Sequence, residues 1–177
     1  MTADELAHIV GATAADELEI ALDRIKHCLR QLNDDQIWRR SQPSLNSIGN
    51  LILHLCGNLR QWIVSGVGGA VDIRNRPAEF AERGPISKEA LLRSLEAVVE
   101  EAKRALLGVD SRQLATARTI QGFDLTGIAA IFNSVPHFRG HTQEIIHITR
   151  SLLGDAYILA WTPTNPAEGA LAGPAIK

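Results

Sequence analysis

Two stretches of the sequence decide the fold. Residues 47–62 read SIGNLILHLCGNLRQW, and residues 135–150 read VPHFRGHTQEIIHITR. Apolar residues recur in both at helical spacing, which favours amphipathic α-helices. One side of each helix carries neutral polar residues and histidine, where a solvent-facing side usually collects lysine and glutamate. The two stretches therefore predict a pair of long helices whose polar sides are not ordinary protein surface.

The remaining segments predict two more long helices, separated by helix breakers. In chain order the four helices are predicted at residues 4–33, from 44 or 46 to the glycines at 66–69, at 87–107 and at 125–153. Pro136 is expected to kink the last helix or to begin its second half. The connecting segments predict a turn at 33–43, a loop at 71–85 and short extended structure at 118–126. The sequence thus predicts an all-α four-helix bundle with a C-terminal strap.

Composition limits the classes of function. The chain has 177 residues, which predicts one bundle domain at 1–164 and a flexible tail at 165–177. The formal net charge is −2, so no global basic field would attract nucleic acid. The sequence contains no run of 18 apolar residues, so no membrane span is predicted. The acidic first twenty residues argue against a secretory signal. Two cysteines cannot form a disulfide scaffold and fit a reducing cytoplasm.

The second helix carries a stripe of neutral polar side chains. No charged residue occurs from Ser41 to Leu59. On a helical wheel the polar residues of this stretch fall within roughly 40° of His54; they are Ser47, Asn50, His54, Asn58 and Gln61. Two interpretations remain open. The stripe could face solvent or hold a satisfied core histidine, or it could line a polar cavity between helices.

The fourth helix carries a matching stripe. His137 and His141 are four residues apart and share one face, with Asn133 one turn before them and Glu144 nearly in line with His137. Two imidazoles one turn apart can chelate one divalent ion. A third ligand from another helix, for which His54 is the candidate, would leave coordination positions open for water or substrate. The histidine pair alone is not specific, because many helices carry it by accident.

These residues together resemble the DinB/YfiT-like superfamily. The resemblance extends from about residue 16 to 161 and includes SIGNLILHLCGNLRQW, RPAEFAERG and HFRGHTQEIIHITR. The family pattern on the fourth helix is commonly H-x-x-x-H-R-G-Q. Here Thr142 and Gln143 replace the arginine and glycine, and Glu144 stands in place of the glutamine.

The resemblance implies a four-helix bundle that binds a divalent metal, often zinc or nickel and in some relatives iron, through His54, His137 and His141. It also implies a homodimer. Characterised relatives include S-transferases that use a low-molecular-weight thiol and a thiol-dependent isomerase, so the implied partners are a small thiol and an electrophile. Two alternatives stay open: a metal-dependent hydrolase, and a non-catalytic metal-binding or interaction bundle.

Further residues are candidates for the same site. Glu144 is a candidate base or orienting residue, or an ordinary surface glutamate. The candidate ligand-binding residues are Asn50, Asn58, Arg74, Arg76 and Trp161. The asparagines could orient His54 or bind a ligand, the arginines could receive a carboxylate, and Trp161 could form a wall of the pocket. Cys56 lies about 200° around the helix from His54 and is not expected to be a ligand or nucleophile.

Overall fold

Four long helices form the bundle, in a computed structural model that describes residues 1–84 and 86–160. The four are α1 (Ala3–Gln31), α3 (Ile48–Leu59), α5 (Lys88–Leu107) and α7 (Gly127–Leu153). Helix α1 packs on α5 and α7, and α3 packs on the same two helices. The predicted all-α four-helix bundle is therefore confirmed. None of the described helices combines the length and apolar character that crossing a membrane requires.

Local capping explains most helix boundaries. The hydroxyl of Thr2 accepts a hydrogen bond from the Glu5 amide at the start of α1, and Ser87 and Thr126 cap α5 and α7 in the same way. Helix α7 ends at Leu153, and the following residue, Gly154, has a positive φ of 55°. Glycine adopts that conformation at little cost. Helix α7 runs through Pro136 as one element, so the proline does not begin a separate helix.

Helix α3 begins later than the sequence predicted. The side chains of Ser47 and Asn50 each accept a hydrogen bond from the other's backbone amide, which forms a capping box and starts the helix at Ile48 rather than near residue 44 or 46. After Leu59 the helix widens into a π-helical segment, Arg60–Ser65. Such segments are rare and frequently lie at functional sites.

Three short helices were missed because they are set by caps rather than by apolar periodicity. Helix α2 (Asp34–Trp38) lies in the predicted turn, α4 (Arg76–Ala81) lies in the predicted loop, and α6 (Ser111–Ala115) precedes the hairpin. Asn33, Asn75 and Asp110 supply the caps.

The predicted extended segment is a β-hairpin. Strands β1 (Ala117–Ile120) and β2 (Phe123–Thr126) pair antiparallel, with Ile120 opposite Phe123. The two turn residues, Gln121 and Gly122, both have positive φ, at 52° and 81°. A two-residue turn of this kind matches the twist of the paired strands. The hairpin leads directly into α7.

The polar stripe of α3 is buried together with the apolar core. Ser47 and Asn50 are fully buried, and His54 and Asn58 are about 5% exposed. A solvent-facing stripe is therefore excluded. The strap begins against α1, where the Ile158 amide donates to Gln31 Oε1 and the Ile158 oxygen lies 2.6 Å from His27 Nε2. His27 is thus partly buried, while Trp161 and the predicted tail lie outside the described residues.

Candidate metal centre

Three histidines from two helices converge on one point. His54 comes from α3, and His137 and His141 come from successive turns of α7. One nitrogen from each ring lies within 4.8 Å of the other two. The Nε2 atoms of His54 and His137 are 2.9 Å apart, and the three rings are nearly perpendicular to one another. Three imidazole nitrogens gathered in this way could hold a metal ion.

Two of these rings contact a carboxylate through Nδ1. Glu79 Oε2 lies 2.9 Å from His54 Nδ1, and Glu144 Oε2 lies 2.7 Å from His141 Nδ1. A carboxylate that accepts from Nδ1–H leaves the lone pair of Nε2 free. Metal-ligating histidines almost always have such an acceptor, which sets the ring's tautomer and orientation. The contact puts Glu144 in a position from which it could orient the His141 ring.

Glu79 is itself held by a buried arginine. Arg74 Nε donates to Glu79 Oε1 over 2.7 Å, and Arg74 Nη2 donates to Oε2 over 2.9 Å. The Arg74 side chain is only 2% exposed and also donates to Gln61. Burial raises the pKa of Glu79, but hydrogen bonds and charge from Arg74 and His54 outweigh it and hold the pKa below its ordinary value. Glu79 is therefore ionised at neutral pH.

Sequence reasoning missed Glu79. The available signal was the segment RPAEFAERG, in which Glu79 follows Arg76 and a proline at the start of a short helix. Glu79 reaches His54 only because α4 is docked on α3. Asn50 provides this docking, because its amide donates to the backbone oxygens of Glu79 and Glu82.

The third histidine is uncharged at neutral pH. Burial lowers the pKa of His137 to about 4, and the neighbouring His141 and His54 add to this effect. A neutral imidazole has a lone pair available for a metal. The donor set consists of three imidazole nitrogens, two of them on rings that contact a carboxylate, and it fits a divalent transition metal.

Two of the three histidines, His54 and His137, line a cavity of about 470 Å³. Its walls come from α3 and the π-helical segment, the loop before α4 and the first residue of α4, the hairpin and α7. The lining residues are His54, Asn58, Trp62, Arg74, Arg76, Gln121, Phe123, Asp124, Leu125, Asn133 and His137. We refer to this space as the histidine cavity. It gives the cluster an open side, which a closed structural site lacks.

The structure places only some of the candidate ligand-binding residues in the histidine cavity with side chains that are free to contact a ligand. Asn58 lines the cavity and accepts a hydrogen bond from Ser134, and Arg76 lines the cavity with its guanidinium 5.0 Å from the ring centre of Phe80. Asn50 instead anchors α4, as described above. Arg74 lines the cavity, but its guanidinium is bonded to Glu79. Trp161 lies outside the described residues.

Cys56 has no part in the site. Burial raises the pKa of its thiol to about 12, so it remains protonated and unreactive at neutral pH. Thr142, which departs from the family pattern, is fully buried and donates to the backbone oxygen of Phe138 one turn earlier. The threonine therefore stands at a buried position where the family pattern has the longer arginine, and the positions of the histidines are unchanged.

The metal-free protein is expected to lose stability between pH 6.5 and about 4. The unfolded chain binds a proton at His137 near the ordinary value of 6.5, whereas the folded chain resists protonation until about 4. The unfolded state then holds more protons, which favours unfolding as the pH falls. Urea midpoints at pH 7 and pH 5 should show this decrease for the wild type and a smaller one for His137→Gln. Equal decreases in both proteins would contradict it.

Replacing Gly57 with alanine is expected to displace Glu79. A Cβ at residue 57 would overlap Glu79 Oε1 and lie 3.0 Å from Arg74 Nε. Disturbing an acceptor behind a metal-binding histidine typically weakens metal affinity 10- to 100-fold, so we expect a loss of about tenfold in zinc titrations. Gly140→Ala is the matched control, because nothing lies within 4 Å of its Cβ position. Equal zinc affinity in both variants would argue against a role for Glu79.

The four helices and the three-histidine cluster together define a helical protein with a DinB-like fold and a candidate metal centre. The chain belongs to the family described as Protein of unknown function (DUF1572), whose model matches residues 11–165. No curated protein matches it.

Solved structures that share the fold include two bacterial proteins. A conserved protein from Enterococcus faecalis matches with a TM-score of 0.69 at 16% identity, over 80% of this chain and 96% of that one. A DinB-like protein from Bacillus cereus ATCC 10987 matches with a TM-score of 0.59, also at 16% identity, over 75% of this chain and 85% of that one. At this identity the likeness concerns the fold.

Proposed function

We propose that the protein binds one divalent metal ion through His54, His137 and His141, and that it transfers a low-molecular-weight thiol to an electrophile. Zinc and nickel are the favoured metals, and iron is the next candidate. The convergence of three imidazole nitrogens, with a carboxylate behind two of the rings, carries the proposal. The homodimer and the cytoplasmic location predicted from the sequence belong to the same proposal.

The donor set suits thiol chemistry. A divalent ion held by three neutral ligands keeps its full charge, and it lowers the pKa of a thiol or water molecule that reaches it. The histidine cavity gives a small molecule access to His54 and His137. In the transfer, the sulfur forms a bond to an electrophilic carbon, the leaving group departs with its bonding electrons, and the thiol proton passes to solvent.

The surrounding residues hold the ligands in position. Glu79 and Glu144 fix the His54 and His141 rings, and Arg74 keeps Glu79 ionised. Because Glu144 Oε2 already contacts His141 Nδ1, an orienting role is favoured over that of a fourth ligand or a general base. An open cavity and a three-ligand set favour a reactive site over a purely structural one.

Metal content tests the first half of the proposal. Untagged wild-type protein, analysed by mass spectrometry, is expected to hold about one ion per chain. His54→Ala, His137→Ala and His141→Ala should each lose it while keeping helical circular dichroism. His147→Ala is the matched control, because His147 lies on α7 and is exposed. Less than about a tenth of an ion in the wild type, with no uptake of added zinc, nickel or iron, would overturn metal binding.

Thiol consumption tests the second half. The metal-loaded protein is incubated with cysteine, bacillithiol or mycothiol and with monochlorobimane, and the fluorescent conjugate is measured. Conjugation faster than the spontaneous reaction, lost in His54→Ala, supports transfer. Turnover of p-nitrophenyl acetate without any thiol, and no conjugation, would instead favour the hydrolase. A metal-loaded protein inactive in both assays would favour the non-catalytic bundle.

A further inference from the structure

Two arginines line the histidine cavity, and their surroundings differ. Arg74 is buried and bonded to Glu79 and Gln61, so its charge is already compensated. Arg76 is exposed, and no carboxylate lies within ion-pair distance of it among residues 1–84 and 86–160. Its guanidinium rests over Phe80 at 5.0 Å from the ring centre, which leaves its N–H donors available to a ligand. Arg76 is therefore the cation of this cavity that can bind an anion.

A second donor in the cavity wall lacks an acceptor. Trp62 is 4% exposed, and its indole Nε1–H has no hydrogen-bond partner in the described part of the chain. A buried donor without an acceptor costs about 1–3 kcal/mol, so native structures seldom keep one without a reason. Trp62 stands in the π-helical segment and lines the cavity. Nε1 itself exposes almost no surface, so an oxygen atom of a ligand in the cavity would become its acceptor through a rotation of the indole ring.

The charge of the cavity also favours an anion. Asp124 is the acidic residue of its lining, and it accepts a hydrogen bond from Thr119 on the hairpin, 2.6 Å away. Arg76 offsets that single negative charge. The three histidines bring no negative charge, so a divalent cation bound to them would leave the cavity net positive. A positive cavity with low-dielectric walls concentrates small anions.

We propose that the histidine cavity binds a small molecule bearing a carboxylate, which Arg76 binds through its guanidinium and to which Trp62 donates its indole N–H. The apolar walls formed by Phe123 and Leu125 would contact the rest of the molecule. This inference rests on the proposed function in two respects: it takes the histidine cluster as the place where the molecule reacts, and the net positive charge of the cavity requires the bound ion. The contacts of Arg76 and Trp62 with the carboxylate depend only on the cavity residues.

Two thiols of equal chain length test the proposal. They are 3-mercaptopropionate and 3-mercapto-1-propanol, which differ in whether the far end is a carboxylate or an alcohol. Calorimetric titration of the zinc-loaded wild type should show about tenfold tighter binding of the carboxylate, the range of one charge-assisted hydrogen bond. Arg76→Gln should reduce the ratio to within about twofold, and Arg76→Lys should restore part of it. Arg93→Gln, at an exposed position on α5, is the control and should keep the full ratio.

Two further variants separate the roles of the cavity residues. Trp62→Phe keeps an aromatic ring but deletes the donor, and it should weaken binding of the carboxylate about threefold to tenfold. Asp124→Asn removes the opposing charge, so it should strengthen that binding. A general loss of fold would instead weaken binding in both variants.

The outcomes distinguish this inference from the proposed function. If the protein holds zinc but binds both thiols equally, the carboxylate site is wrong and metal binding stands. If the protein takes up no metal, the proposed function fails. The carboxylate site is then tested by titrating both thiols into metal-free wild-type and Arg76→Gln protein and comparing the two affinity ratios. A ratio that Arg76→Gln leaves unchanged overturns the inference in either form of the protein.

Discussion

Glu79→Ala is expected to lower the free energy of unfolding by about 3–5 kcal/mol, because it leaves Arg74 buried without its partner. The Arg74 side chain is 2% exposed and donates two hydrogen bonds to the Glu79 carboxylate. Removing the carboxylate deprives a desolvated guanidinium of its counter-charge and deprives His54 Nδ1–H of its acceptor. Urea unfolding of metal-free protein at pH 7 measures the loss.

A second Arg–Glu pair provides the matched control. Arg60 and Glu101 also contact each other, at 3.3 Å, but their side chains are 46% and 34% exposed. Solvent-exposed pairs contribute about 0–1 kcal/mol, so Glu101→Ala should have little effect. Similar losses from Glu79→Ala and Glu101→Ala would show that burial does not strengthen the Arg74–Glu79 pair in the way expected.

The same substitution is expected to weaken metal binding. Without Glu79, His54 loses the contact that fixes its ring with Nε2 toward the cluster, and zinc affinity should fall by about 10- to 100-fold. Glu79→Gln keeps an oxygen that can accept from His54 Nδ1–H but removes the charge, so its zinc affinity should lie between those of the wild type and Glu79→Ala. A Glu79→Gln protein as weak as Glu79→Ala would mean that charge, rather than ring orientation, controls the affinity.

Local geometry made the histidines predictable, whereas tertiary packing decides which residues support them. His137 and His141 share a face because they are four residues apart, and His54 stands out in a stripe without charge. Glu79 and its arginine belong to a segment with no useful periodicity. Their contact with His54 depends on where α4 docks, which requires the Asn50 amide and the absence of a side chain at Gly57.

The same distinction explains the role of Asn50. The helical wheel placed it beside His54, which suggested direct contact with the histidine or a ligand. In the fold, the Asn50 side chain takes part in the cap of α3 and binds the backbone of α4. Asn50 can thus influence His54 through Glu79. Periodicity identifies a shared face but does not show which neighbouring element covers each residue on it.

Phe138→Ala is expected to lower the free energy of unfolding by about 3–5 kcal/mol, the range for removing a large aromatic side chain from a core. Phe138 lies on α7 between the two histidines of that helix and is among the largest fully buried side chains. Phe132→Ala is the control on the same helix, because Phe132 is 67% exposed and its loss should change stability by no more than about 0.5 kcal/mol. Chemical denaturation of both variants tests the contrast.

Zinc binding by the Phe138→Ala protein tests whether the substitution weakens only core packing or also disturbs the metal site. His137 and His141 are held on the face of α7 by helix geometry, and Glu144 is on the same helix, so the ligands should survive the loss of the neighbouring phenyl ring. Zinc at 1,000 times its dissociation constant should raise the stability of wild type and variant alike by about 4 kcal/mol, since the ion binds only the folded state. A metal-induced increase in the wild type that is absent from Phe138→Ala would show that core packing around Phe138 sets the ligand geometry.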